Sequence, residues 1–356
     1  MTLDKSTETK ISKNMTYLLR HKAVKEGILI DKFGFIWLDD LIGWLKTNLN
    51  KIQDQITPET IQEVVDKDSK TRFTLTEENG RKKIRANQGH SMEIKELELK
   101  EITLGNSNSY GLIVHGSFDK NRELIQQTGL KKMSRTHVHM VDVIGDHSDN
   151  LLRSNANMYV VVDMVHALKD GLKFYESINH VVLCDTDIPA KYLTLLDKAP
   201  SKFGCVGCIV LGQDKAGGQY VSLVKTPNNN WSFPKGKKNK GEGISLTTAL
   251  RELQEETGLT WRQIRFRESP VLKEHTKKGG PSVAHYVADL RNKTIEQVKL
   301  QAEDPEELSS AVWYPVKKLM RCYDKIESGK VNIVEMEGGD GYIKSSRLHI
   351  LHGILN

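Results

Sequence analysis

Arginine and histidine residues recur beside small polar residues in five short segments of the N-terminal half. They are Arg20, His21, Arg72, His90, His115, Arg135, His137 and His139. A guanidinium group presents a planar fork of donors that matches two oxygens of a phosphate. No carboxylate pair accompanies these cations, so the pattern predicts a site built around phosphate. Gly89 and Gly116 would let the backbone approach a ligand closely.

A metal site is the alternative for one of these segments. His137 and His139 are separated by one residue, which places both imidazoles on one face of a strand. Metal sites usually add carboxylates or thiolates, whereas the neighbours here are cationic and would repel a metal ion. The composition of the segment therefore favours phosphate.

Three glutamates in the C-terminal half have helical spacing. Glu252, Glu255 and Glu256 stand at i, i+3 and i+4, hence on one face of a helix. Carboxylates packed in this way repel one another unless a divalent cation joins them, and Mg²⁺ prefers such oxygen ligands. A solvated acidic helix face is the alternative. The upstream segment Trp231-Ser-Phe-Pro-Lys-Gly236-Lys237 and the helix stop at Gly258 favour the cation site.

Length and composition are typical of a globular protein of two or three domains. The chain has 356 residues, of which 38% are hydrophobic and 28% charged, with a formal net charge of +6. This mild basic excess is compatible with a polyanionic partner. No apolar run approaches the ~20 residues of a membrane span. We expect no membrane association and a location in the cytosol or nucleus.

The four cysteines are too few for a disulfide scaffold and indicate a reducing compartment. Cys205 and Cys208 could begin a zinc site, but no second Cys-x-x-Cys or nearby histidine pair completes four ligands. Small residues on a buried strand are the favoured interpretation of this segment.

The spacing of apolar residues predicts three successive parts of the chain. A helix from Ser12, after a frayed polar start, two further helices and a hairpin around Asn79-Gly80 suggest a winged-helix module. Strands are predicted at 111–115, 158–163 and 181–183. The polar connector 197–202 precedes a new pattern with a strand at 204–211 and a helix at 246–256.

The N-terminal motifs together resemble one family. They are Leu18-Leu-Arg20-His21, Asp68-Ser-Lys70-Thr-Arg72-Phe73, Arg85-Ala-Asn-Gln-Gly-His90-Ser91, Val114-His115-Gly116, Gly129-Leu-Lys-Lys-Met-Ser-Arg135-Thr-His137-Val-His139 and Asp170-Gly-Leu-Lys-Phe-Tyr-Glu-Ser177. From about residue 12 to 192 this series is similar to the tRNA 2′-phosphotransferase family. The resemblance implies a winged-helix-like RNA lobe (1–100) and an ADP-ribosyltransferase-like NAD lobe (101–196), in an α+β and α/β multidomain chain.

The resemblance also implies a reaction and its residues. NAD would be the co-substrate for removing an internal 2′-phosphate from spliced tRNA, producing nicotinamide and ADP-ribose 1″,2″-cyclic phosphate. The family's catalytic set corresponds to Arg20, His21, Arg72 and Arg135. His21 would either hydrogen-bond the phosphate or orient the ribose hydroxyl. His115, Gly116 and Ser117 would contact NAD, with Ser117 in place of the usual threonine and its hydroxyl retained.

The C-terminal motif Leu250-Arg-Glu252-Leu-Gln-Glu255-Glu256-Thr-Gly258-Leu259 resembles the Nudix signature. This implies an α/β/α sandwich over 203–356 that binds Mg²⁺ or Mn²⁺ through Glu252, Glu255 and Glu256, with Glu255 also catalytic. Eight residues separate Glu242 from Arg251 where the family has seven, which places an extra residue in the loop near 243–245. The segment 304–307 could add a carboxylate.

Three functions remain open for this C-terminal part. It could hydrolyse the ADP-ribose derivative released by the first activity, or act as a decapping-like or dinucleoside-polyphosphate hydrolase. Its fold could instead be an inactive module that binds RNA or a partner. For the N-terminal part, simple binding of NAD or RNA is the alternative to catalysis, and the presence of all four motif residues favours catalysis.

Overall fold

The chain divides into two compact units of nearly equal size. The computed structural model describes residues 3–145, 151–240, 242–276, 278–304, 306–327, 332–336 and 338–356. The first unit contains Met1–His115, Lys120–Arg153 and Val162–Leu193, and the second contains Gly116–Asp119, Ser154–Val161 and Thr194–Asn356.

The first unit begins with helices packed on a small sheet. The helices are α1 (Lys5–Tyr17), α2 (Leu38–Asn48) and α3 (Pro58–Asp66). The strands β1 (Ile36–Trp37), β2 (Phe73–Glu78) and β3 (Arg81–Ala86) form an antiparallel sheet in the order β1-β3-β2. The predicted hairpin around Asn79-Gly80 is confirmed, because both residues have positive φ and join β2 to β3.

The start of α1 differs from the prediction. We expected residues 1–10 to be frayed and the helix to begin at Ser12. Instead α1 begins at Lys5, because the Asp4 carboxylate accepts hydrogen bonds from the backbone N–H groups of Ser6 and Thr7. The apolar side chains of α1, including Ile11 and Met15, then pack in the core of this region, where both are fully buried.

The middle of the chain forms a seven-stranded sheet. Its strands are β4 (Leu99–Ile102), β5 (Ile113–Ser117), β6 (Val138–Asp142), β7 (Met158–Val162), β8 (Phe174–Ser177), β9 (Val181–Cys184) and β10 (Leu193–Asp197). Their order is β10-β7-β5-β6-β9-β8-β4. Among the strands lie the short helices α4 (Arg122–Thr128) and α5 (Met164–Lys169). The three strands predicted here are confirmed, each within two residues of its predicted start.

A ten-stranded sheet dominates the C-terminal half. Its strands are β11 (Cys205–Gln213), β12 (Gln219–Lys225), β13 (Asn230–Ser232), β14 (Lys235–Lys237), β15 (Ile264–Phe266), β16 (Leu272–His275), β17 (Pro281–Leu290), β18 (Ser310–Pro315), β19 (Ile333–Glu335) and β20 (Tyr342–Lys344). The long strands β11 and β17 pair in parallel over seven residues. Each residue of β11 from Val206 to Leu211 is buried, as predicted for this segment.

Three helices accompany this sheet: α6 (Ser245–Thr257), α7 (Val316–Glu327) and α8 (Ser345–Leu355). The predicted helix 246–256 is confirmed as α6, which ends at Gly258 in the left-handed conformation with φ 73°. The chain is thus a mixed α/β protein with several sheets. In the described residues no helix is both long and apolar enough to cross a membrane.

Candidate active sites

Arg20 and His21 lie in a turn of π-helix that follows α1. This wide turn spans Leu18–Lys22, and single π turns inside helices often mark functional sites. The turn buries Arg20, which is 8% exposed, and its Nε and Nη2 atoms have no hydrogen-bond partner. Gly89 has φ +86°, and a Cβ atom there would lie 3.2 Å from the guanidinium carbon. The glycine therefore leaves room for the Arg20 side chain, and the predicted close approach of a ligand to the backbone stays a prediction.

Arg72 is held by a carboxylate. Its Nε and Nη2 atoms donate to Asp68 Oδ1 at 3.0 and 2.8 Å, and Nη2 also donates to Ser12 at 3.2 Å. The Asp68 side chain is only 4% exposed, whereas that of Arg72 is 31% exposed. The ion pair thus fixes the direction of the guanidinium and leaves part of it accessible.

Electrostatic effects show that the four predicted catalytic residues lie together. Burial, then the cations Arg135 and Arg72, lower the pKa of Arg20 to about 10. Burial, then Arg20 and Arg135, lower the pKa of His21. The His21 Nδ1 atom lies 3.0 Å from the Ser91 hydroxyl, which orients the ring. The cluster concentrates positive charge that a phosphate dianion would neutralise.

Arg135 completes the cluster from the segment before β6. Its side chain is exposed at the surface. The protein atoms around it nevertheless lower its pKa, and the Arg153 cation lowers it further. In the described part of the chain its guanidinium has no carboxylate partner within salt-bridge distance, so it remains available for an anionic ligand.

Two buried histidines of the predicted phosphate pattern lie beside the arginines, although the family resemblance gave them no catalytic or NAD-binding role. Neither ring nitrogen of His90 has a partner, and the same holds for His139 Nε2. Burial, then Arg20, lowers the pKa of His90 to about 3. Burial, then Arg135 and Arg20, holds the pKa of His139 well below 6.5. Both rings are therefore neutral and offer unused donors and acceptors to a ligand.

The three residues predicted to contact NAD are consecutive on β5. The His115 Nδ1 atom lies 2.7 Å from the backbone oxygen of His139, so it donates there. Gly116 and Ser117 are buried, and Ser117 accepts a backbone hydrogen bond from Asn157. His115 thus lies beside His139, which adjoins the cationic cluster, and its contact with NAD stays a prediction.

The buried histidines predict sensitivity to acid. Since the folded-state pKa of His90 lies below its ordinary value of 6.5, the unfolded chain takes up a proton there first as pH falls. Stability is therefore full above pH 6.5 and declines below it, by about 2 kcal/mol at pH 5. Chemical denaturation of the intact chain at pH 7 and pH 5 should show this loss. It should shrink in His90→Gln, and an equal loss in the variant would contradict the assignment.

The glutamates of α6 surround Arg251. This guanidinium lies 2.8 Å from Glu252 and 2.7 Å from Glu255, and its Nε donates to Glu242 at 2.8 Å. Glu242 also accepts from Thr248, so the extra residue in the preceding loop still brings this carboxylate to the helix. Burial raises the pKa of Glu242, but hydrogen bonds from Arg251 and the backbone of Asn239 outweigh it and lower the pKa overall.

Glu256 and Glu252 face the strand β14. Glu256 accepts the backbone N–H of Lys235 at 2.7 Å, and a Cβ atom at Gly236 would overlap the Glu252 carboxylate. Burial raises the pKa of both glutamates, that of Glu256 to about 7. Glu307 adds to both shifts and therefore lies near them. It belongs to the segment 304–307 predicted to add a carboxylate, of which Pro305 lies outside the described residues.

These oxygen donors suit a hard divalent cation, but they are not arranged as a preformed cage. Among the residues that the structure describes, no three His, Cys, Asp or Glu side chains are close enough to hold a metal ion. The same statement applies to the metal sites considered as alternatives at Cys205 and at His137. Cation binding by Glu252 and Glu255 requires that Arg251 release them. Burial, then the neighbouring carboxylates Glu252 and Glu307, raise the pKa of Glu256, and Lys235 offsets only part of this effect.

The two clusters are typical of enzymes that act on phosphate compounds. Residues 6–186 match the family model "RNA 2′-phosphotransferase, Tpt1 / KptA family", and residues 202–334 match that of the NUDIX domain. The first match covers half of the chain, and the chain belongs to the RNA 2′-phosphotransferase family. Both resemblances found in the sequence are confirmed.

Curated relatives support the same family. A protein of Danio rerio named tRNA 2′-phosphotransferase 1 is 32% identical over 188 residues, which is 52% of this chain and 81% of that protein. A Fusobacterium nucleatum protein named probable RNA 2′-phosphotransferase is also 32% identical over 188 residues, covering 97% of its length.

Solved structures match the chain over a smaller share. A crystal structure of a Caenorhabditis elegans Ap4A hydrolase binary complex is 20% identical, with a TM-score of 0.31, and covers 42% of this chain and 97% of that one. The NUDIX domain of Shewanella oneidensis NrtR with ADP ribose is 18% identical, with a TM-score of 0.28, covering 35% and 79%. The Nudix assignment of residues 202–334 rests on the family model.

Proposed function

We propose that this chain is an NAD-dependent RNA 2′-phosphotransferase that removes the splice-junction phosphate from tRNA. The observation that carries the proposal is the convergence of Arg20, His21, Arg72 and Arg135. The buried Nε and Nη2 atoms of Arg20 have no protein partner, so they can donate hydrogen bonds to an anion. A buried donor left without a partner costs about 1–3 kcal/mol, so a ligand that satisfies it gains that energy.

The reaction proceeds in two displacements. An oxygen of the RNA 2′-phosphate attacks C1″ of the nicotinamide ribose of NAD, and the C–N bond breaks with release of nicotinamide. The 2″-hydroxyl then attacks phosphorus and loses its proton. The bond to the RNA 2′-oxygen breaks, this oxygen gains a proton, and ADP-ribose 1″,2″-cyclic phosphate leaves.

Each residue of the cluster has a role in these steps. Arg20 and Arg72 hold the phosphate, and the Asp68 pair keeps the Arg72 fork in one direction. Arg135 stabilises the charge that develops on the phosphate during its transfer. Since the Nδ1 side of His21 faces Ser91, its Nε2 atom is the one positioned for the substrate. A lowered pKa keeps that ring neutral near pH 7 and able to accept a proton.

Turnover with defined RNA tests this proposal. We expect the intact chain to release one nicotinamide for each 2′-phosphate removed, and none from RNA that carries a 2′-hydroxyl. Loss of the phosphate in the absence of NAD would identify a phosphatase instead. If the RNA keeps its 2′-phosphate and NAD keeps its nicotinamide, the proposal is refuted.

For the C-terminal half we propose a Mg²⁺-dependent pyrophosphohydrolase. A divalent cation held by Glu252, Glu255 and Glu256 would stabilise the negative charge of a pyrophosphate substrate. Glu255, the most exposed carboxylate of the three at 45%, would accept the proton of the attacking water. Arg251 would turn from the carboxylates to the substrate when the cation binds.

The substrate we favour is the ADP-ribose derivative that the first activity releases, because it contains a pyrophosphate. Incubation of the purified chain with that cyclic phosphate and Mg²⁺ should yield AMP, and unchanged substrate would exclude coupling. The lysines of the loop before α6 favour a dinucleoside polyphosphate or capped RNA as the second candidate. Burial and the Lys198 cation lower the pKa of Lys238, which indicates crowded positive charge there. If none of these substrates is hydrolysed, the C-terminal half is a binding module.

A further inference from the structure

An aromatic side chain lies exposed at the edge of the cationic cluster. Tyr17 is the last residue of α1 and is 46% exposed. Its ring centroid lies 6.4 Å from that of His21 and 6.5 Å from that of Trp44. The Lys22 ammonium lies 5.8 Å from the centre of the Tyr17 ring. We call Tyr17 and Trp44 the aromatic pair.

The packing of the fold does not explain this exposure. The side chains that face the core here are Ile11 and Met15 of α1 and Leu18 of the π turn, all fully buried. Tyr17 is on another face. The ring of Trp44 is itself fixed, because its Nε1 donates to Glu26 at 3.2 Å. The edge of the cationic cluster thus carries a large aromatic ring. Protein contacts one side of this ring, and much of its surface is exposed to solvent.

Such a ring beside cations is the combination that single-stranded RNA requires. Proteins bind unpaired RNA by stacking its bases on aromatic side chains while cations contact its backbone. His21 belongs to the cluster assigned to the 2′-phosphate, and Tyr17 stands at the end of α1 with its ring next to that of His21. A nucleotide whose phosphate reaches His21 therefore brings a base close to Tyr17, and Lys22 supplies a backbone contact.

We propose that Tyr17, supported by Trp44, is a stacking site for a nucleobase that flanks the 2′-phosphorylated ribose. The proposal rests on the proposed RNA 2′-phosphotransferase function. It assigns to the aromatic pair the recognition of unpaired RNA at the splice junction, whereas the arginines recognise the phosphate. A second protein as the partner of this surface is the competing outcome of the test.

The test is equilibrium binding of a fluorescent 2′-phosphorylated RNA oligomer to the intact chain without NAD. Oligomers that lack one base, either at the phosphorylated nucleotide or next to it on each side, are compared with the complete RNA. Base stacking on an aromatic ring corresponds to about a five-fold or larger change in Kd. One of the abasic oligomers should bind wild type that much more weakly. Tyr17→Ala should weaken binding of the complete RNA by the same factor. This variant should also bind the complete RNA and that abasic oligomer with the same Kd.

Two variants serve as controls. Tyr17→Phe keeps the ring and should bind like wild type. Tyr342→Ala removes a tyrosine of equal exposure, 46%, from the C-terminal half and should not change Kd. If wild type binds every abasic oligomer as tightly as the complete RNA, the proposal is overturned. It is also overturned if Tyr17→Ala weakens the binding of complete and abasic RNA by the same factor. The abasic comparison needs no variant, so misfolding of Tyr17→Ala cannot obscure it.

Failure of the proposed function has a different signature. In that case RNA with and without the 2′-phosphate would bind wild type equally. Loss of the missing-base effect alone would refute only the role of Tyr17. If a protein uses this surface, Tyr17→Ala would leave the Kd for every oligomer unchanged, and the stacking proposal would be wrong.

Discussion

Arg135→Ala is expected to reduce NAD-dependent removal of the 2′-phosphate from RNA by at least about 10²-fold. Removal of one preorganised donor from a site of developing charge has an effect of about 10²–10³ in rate. Arg135 lies close enough to lower the pKa values of Arg20 and His21, so it belongs to the charge that receives the phosphate. Single-turnover assays with saturating RNA and NAD measure the effect directly.

The same variant should fold at least as stably as wild type. In the described residues Arg135 has no carboxylate partner, and it lies beside the cations Arg20 and Arg153. Its removal therefore relieves like-charge repulsion, and the Tm should not fall. Lys131→Ala, which removes only an exposed cation paired with Asp187, is the matched control and should keep its turnover. Near-normal turnover of Arg135→Ala would mean that the phosphate binds elsewhere.

Arg72→Ala is a less clean test of the same site. We expect the same loss of turnover, but this change also leaves the buried carboxylate of Asp68 without its cation. Its Tm should therefore fall, although less than for a fully buried pair because Arg72 is partly exposed. The contrast between the two variants separates the role of positive charge in the reaction from its role in folding.

Glu255→Gln is expected to abolish Mg²⁺-dependent pyrophosphate cleavage by the C-terminal half. The loss should be about 10²–10⁴-fold, the contribution of a positioned base. Chromatographic measurement of the AMP formed from the ADP-ribose derivative gives this loss. The 2′-phosphotransferase activity of the same preparation should be unchanged, because Glu255 lies in the Nudix half of the chain.

The structure suggests a control for this variant. Glu335→Gln makes the same chemical change at an exposed position of β19 and should keep full hydrolysis. Glu255→Gln also frees Arg251 from one of its partners and removes one proposed cation ligand. The rate is therefore compared at saturating Mg²⁺, where a loss that persists agrees with a role as base. A variant as active as wild type would show that Glu255 is not the base.

Spacing alone predicted the parts of both sites that depend on local structure. Three glutamates at i, i+3 and i+4 occupy one face because a helix forms there, and Gly258 ends it. The order of the arginine and histidine motifs predicted the family without any knowledge of their separation in space. Local periodicity carries such information because it depends only on the geometry of one element.

Features that arise from tertiary packing were not predictable. His90 and His139 become neutral because other segments bury them beside Arg20, and no spacing rule shows that. The pairing of Arg251 with Glu252 and Glu255 likewise depends on side-chain conformations. The helix start at Lys5 was missed although Asp4 is a strong capping residue, because the segment lacks apolar residues to signal a helix.

The fate of a labelled 2′-phosphate distinguishes its transfer to NAD from its hydrolysis. RNA with radioactive phosphorus at one 2′ position is incubated with the intact chain and NAD, and the products are separated. If Arg20, His21, Arg72 and Arg135 hold that phosphate beside NAD, the label moves from RNA into an ADP-ribose product. Label released as inorganic phosphate, or label retained in RNA while nicotinamide accumulates, would contradict the account.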